Sequence, residues 1–93
     1  MLITDLLLKV EDVEPGAELR SLGNGYWSLV NPRKRNPTQT DQPLMLATIR
    51  TVEHMNPVTK ETFNKVHDVK IVGNTGPRKQ LRVWMVLWGV DLQ

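Results

Sequence analysis

Two histidines, His54 and His67, are the only imidazoles in this 93-residue chain, so acid–base or metal chemistry at neutral pH has to start from them. There is no cysteine, which excludes disulfides, thiolate zinc sites, iron–sulfur clusters and thiol nucleophiles. His67 is followed by Asp68, and Ser21 or Ser28 could be offered as a hydrolase nucleophile. Adjacent residues on a strand point to opposite faces, however, so Asp68 is not expected to orient His67 as a Ser-His-Asp triad requires. The two histidines are likewise expected on opposite faces of one hairpin, unable to share a metal. No G-x-S-x-G elbow, HExxH helix or usefully spaced carboxylate pair is present. The expectation is a protein that is not an enzyme, with no catalytic residues, no metal site and no cofactor.

Binding chemistry is better represented. Arg33, Lys34 and Arg35 stand together between Pro32 and Pro37, and Arg78, Lys79 and Arg82 form a second basic group. Net charge is only +2, but its distribution is uneven. Residues 1–20 hold five acids against Lys9 and Arg20, and the remainder holds ten Lys/Arg against five acids, which can present a positive face to a polyanion. Tyr26 and Trp27 precede the first basic group and offer stacking surface beside phosphate-attracting charge, the combination that binds single-stranded or RNA ligands. Gly73-Asn74-Thr75-Gly76-Pro77 lacks the G-x-x-x-x-G-K-[ST] spacing of a phosphate loop. It reads as a turn.

The elements that position these residues follow from patterning. Leu6, Leu7, Val10 and Val13, spaced by three and four behind Thr4-Asp5, predict a short helix that ends before Pro15-Gly16. Residues 17–22 and 26–30 flank Gly23-Asn24-Gly25, a β-hairpin signal. Residues 31–43 carry three prolines and no other apolar residue, which predicts a long exposed loop. Residues 44–55 and 63–72 predict a second hairpin around Asn56-Pro57-Val58-Thr59. Opposing Met55 to Glu61 in it places Met45 against Ile71, Ala47 against Val69 and Ile49 against His67.

The apolar run from Gln80 to Val90 predicts a last strand, with Trp84 and Trp88 about 13 Å apart on one face. Five consecutive antiparallel strands and one N-terminal helix in a single domain, residues 1–93, predict a mainly β protein: a small barrel or bent sheet of SH3-like or OB-like architecture.

The function these expectations favour is nucleic-acid binding through Arg33, Lys34, Arg35, Arg78, Lys79 and Arg82, with Tyr26 or Trp27 stacking. A protein-interaction module or inhibitor, possibly homo-oligomeric, docking through Trp84 and Trp88, is the alternative. Capture of a small anionic ligand such as a nucleotide is a third reading. No signal peptide or membrane span is expected, and the sequence is read as soluble and cytoplasmic.

Overall fold

A computed structural model describes residues 1–93 as six elements: α1 (Ile3–Val13), β1 (Glu18–Gly23), β2 (Tyr26–Arg35), β3 (Pro43–Met55), β4 (Thr62–Ile71) and α2 (Pro77–Leu87). The strands form one antiparallel sheet in the order β1-β2-β3-β4. The fold is mainly β, but the sheet stays open and has four strands, where a five-stranded barrel was expected. β1 lies at one edge. The β4 edge is occupied by short pieces of chain: Leu2 bridges Lys65 and Leu92 bridges Val69, and the Val66 amide donates to the Met1 carbonyl.

The missing fifth strand is α2. Pro77 occupies its first turn, where proline's fixed φ and missing N–H suit a helix. Arg78, Leu81 and Met85 turn inward at helical spacing, which no alternating strand pattern produces. α1 begins at Ile3, one residue before the expected Thr4-Asp5 cap, with Leu2 as N-cap and no side-chain cap.

Both helices cover the same face of the sheet. Ile3, Leu6 and Val10 of α1 and Leu81 and Met85 of α2 share one core with Leu29, Leu44, Leu46, Ala47, Ile49, Val69 and Ile71. The opposite face meets solvent, the usual state of an antiparallel sheet packed on one side. No helix is long and apolar enough to cross a membrane.

The first hairpin turns at Asn24-Gly25, with φ of 54° and 82°, the left-handed pair a two-residue turn requires. Gly25 is also a site of close approach, since a Cβ there would lie 2.8 Å from the Thr51 carbonyl oxygen. β2 continues past the expected strand end at Val30 to Arg35, so the connection to β3 is residues 36–42 and the basic triplet ends a strand. The last turn of α1 is tied to this strand by a buried polar cluster. Asn31 donates to Glu14 Oε1 at 2.8 Å and to the Pro15 carbonyl at 3.2 Å, and Lys34 Nζ lies 2.7 Å from the same Glu14 oxygen.

Two bulges set the register. Leu29 pairs with Ala47 and Val30 with Met45, leaving Leu46 unpaired. Arg50 pairs with Asp68 and Thr51 with Val66, leaving His67 unpaired. Ala47 therefore faces Ile71, and Ile49 faces Val69, two residues from the expected register. A shift of two preserves the faces, so Ala47, Ile49, Val69 and Ile71 lie in the core as expected, while Met45 and His67, expected in the same row, do not. Past the bulge β3 and β4 run on as an exposed arm, residues 52–62, which accounts for the 47 × 28 × 22 Å shape.

Candidate functional site

The structure disperses the six basic residues. Arg78 is buried, and its guanidinium donates from Nε at 2.9 Å and from Nη2 at 2.6 Å to the Met45 carbonyl. This arginine fastens the first turn of α2 to β3 and presents no charge to a ligand. Arg82 donates to the Gly73 carbonyl and Asn74 Oδ1, holding the loop before α2. Lys34 is spent on Glu14. Arg33, Arg35 and Lys79 are exposed, the first two on β2 and the third on α2. Of the two candidate stacking residues, Trp27 faces the core, its indole N–H donating to Thr51 Oγ1 at 3.1 Å. Tyr26 is on the open face and 47% exposed.

Beside Tyr26 lies a constellation not anticipated from the sequence. Because His67 is the extra residue of a bulge, its ring and the Asp68 carboxylate meet on one side of the sheet: His67 Nδ1 is 3.2 Å from Asp68 Oδ2. The expected separation of these neighbours is overturned, since a bulge re-aims a side chain that regular alternation would point away. Arg50, across from Asp68, closes the group with Nη2 at 2.8 Å from Asp68 Oδ2 and 3.1 Å from His67 Nδ1.

A hydrogen bond from Gln93 holds the Asp68 carboxyl below its ordinary range, and the Arg50 and His67 contacts add to this against the cost of burial. Hydrogen bonding and charge from Asp68 push the Arg50 guanidinium upward in turn. A cavity of about 230 Å³ opens here, lined by Tyr26, Thr48, Ile49, Arg50, Asp68, Lys70 and Gln93. It is rich in donors, and its one carboxylate is already bonded. It holds no nucleophile activated by a base: Thr48 is its only aliphatic hydroxyl. His54 lies farther along β3, stacked on Phe63 at 5.7 Å. No group of three or more His, Asp or Glu side chains is placed to hold a metal ion.

The tryptophan pair belongs to α2 and its C-cap, and Trp88 shares a small cavity with His67. Trp84 and Trp88 are one helical turn apart, with ring centroids 6.3 Å apart, where a strand would have held them at about 13 Å. Lys9 of α1 lies over the Trp88 ring at 5.7 Å, and a groove of about 290 Å³ between the helices is lined by Lys9, Asp12, Val13, Trp84 and Trp88. Outward from this groove α2 exposes Val83, Trp84, Val86 and Leu87, at 58, 41, 62 and 70%. No family model, curated protein or solved structure matches the chain. The sequence signal for this face was the length of the apolar run, longer than one buried helix stripe can use.

Proposed function

We propose that the chain is a non-catalytic interaction protein that pairs with a second copy of itself through the outer face of α2. The observation that carries this reading is the second, outward apolar face of that helix. Leu81 and Met85 fill the core while Val83, Val86 and Leu87 stand in water, and exposed apolar side chains gathered on one face of an ordered helix mark an interaction site.

Two features favour a second copy as the occupant. Val83 and Leu87 lie one turn apart at the middle of the exposed face. An antiparallel two-fold contact therefore sets Val83 of each protomer on Leu87 of its partner, the self-complementary arrangement of an isologous interface. Moreover, α2 has no acid in its first turn and no base in its last, while the exposed Lys79 sits at its positive end against the macrodipole. An antiparallel partner brings the negative C-terminal end of a helix to that basic end.

The test is native mass across micromolar concentrations. The parent is expected to be dimeric and Val83→Glu/Leu87→Glu monomeric, with unchanged far-ultraviolet circular dichroism. Leu87→Glu mixed with Val83→Lys should form a heterodimer, because the two-fold axis pairs those positions. A parent that stays monomeric, or a folded double variant that stays dimeric, overturns the proposal.

A further inference from the structure

We infer that the open face of the sheet is a platform for single-stranded nucleic acid. The register assigns its residues. Arg20 faces Ser28, Tyr26 faces Arg50 and Ser28 faces Thr48; Thr48 faces Lys70, Val52 faces Lys65 and His54 faces Phe63. Four cations, Arg20 on β1, Arg50 on β3 and Lys65 and Lys70 on β4, thus share the face. The acids beside them are already bonded: Glu18 to Arg20 at 2.9 Å and Asp68 to Arg50 at 2.8 Å. Lys65 and Lys70 have no acidic partner.

The same face carries two aromatic stations. Tyr26 is nearly half exposed beside the donor-rich cavity. Phe63 is covered on one side by His54 and approached by Lys65 Nζ at 6.0 Å. The stations are offset by four residues along β3 and flank it on β2 and β4, which sets them about 16 Å apart, so each can take a base of its own while the sugar-phosphate backbone passes Arg50, Lys65 and Lys70. Stacking on rings and charge along a track describe a sequence-tolerant single-strand site. A duplex keeps its base faces hidden, and Val52 is the face's one exposed large aliphatic side chain within the register, which gives a protein partner little to bury.

The test is fluorescence anisotropy with labelled oligodeoxythymidine and oligouridine, at low salt and through a salt titration. Binding is expected for the parent. Tyr26→Ala should weaken it roughly 5- to 150-fold, and Tyr26→Phe should restore it. Lys65→Glu/Lys70→Glu should reduce the log–log salt slope by about 0.7 per lost phosphate contact. Val83→Glu/Leu87→Glu should bind each oligonucleotide as the parent protomer does, so failure of α2 pairing and failure of this site are read separately. No binding at low salt, equal affinity for duplex, binding of mononucleotides with no gain from a longer strand, or indifference to the Tyr26 and lysine substitutions in folded protein overturns the inference.

Discussion

Replacing Arg78 by methionine separates a structural arginine from a ligand-binding one. Methionine keeps most of the side chain's length and apolar stem but deletes both hydrogen bonds to the Met45 carbonyl, at 2.9 and 2.6 Å. A hydrogen bond to a charged donor contributes about 1.5–3 kcal/mol, and the carbonyl left behind loses its side-chain partner. Removing a buried charge recovers part of that loss, so a net destabilisation of about 2 kcal/mol is expected. For a domain of this size it lowers the melting temperature by about 8–16 °C. Calorimetry or thermal circular dichroism reads it directly. The loss should persist at high salt, because Arg78 has no acidic partner to screen, and Lys79→Met on the exposed neighbouring position should change stability by less than about 0.5 kcal/mol. An Arg78→Met protein that melts with the parent, or whose deficit disappears at high salt, would refute the reasoning.

Gly25→Ala is expected to cost more than about 1 kcal/mol, because it places a Cβ at 2.8 Å from the Thr51 carbonyl on a backbone with φ of 82°. Gly23→Ala shares the positive φ but meets nothing within 4 Å, so denaturant melts should rank it as the milder change. The Asp68 carboxyl is depressed on folding, so its contribution is fully present above the unfolded carboxyl pKa of 3.8 and is lost as pH falls through the folded value. Unfolding titrations should therefore show the parent's advantage over Asp68→Asn constant near neutrality and shrinking below about pH 4; an advantage that grows with acidity would contradict this.

The parts of the fold legible in the sequence were those where one local signal had one meaning. Asn24-Gly25 demanded a tight hairpin, and the alternation in residues 44–55 and 63–72 demanded two strands; the helix at Leu6, Leu7, Val10 and Val13 had to be preferred over a strand, since Leu6, Leu8 and Val10 also alternate with Leu7 and Lys9. The terminal helix was lost because its two faces are both apolar. With Leu81 and Met85 inside and Val83, Trp84, Val86 and Leu87 outside, the 3.6-residue period is erased and the run reads as a strand. The same excess apolarity marks the face now proposed to pair. The Arg50–His67–Asp68 group was hidden by the bulge at His67, since register cannot be counted through a residue that leaves the ladder. Arg78 read as a free cation because sequence does not show which backbone carbonyl a long side chain will reach.

The short pieces of chain laid along β4 give the sheet a direction of growth. Met1 and Leu2 at one end, and Asp91 to Gln93 at the other, occupy hydrogen-bonding groups that β4 would otherwise show to solvent. β1, at the opposite edge, has no such cover and is six residues long and mostly exposed. Edge-to-edge addition of a second molecule is thereby steered to β1, where it would give an eight-stranded sheet. The covered stretch of β4 is a stop to growth along the sheet edges, which guards an open-sheet protein against fibre formation. Displacing residues 1–2 or 91–93 from β4 would remove that stop and convert a self-limiting contact into a propagating one.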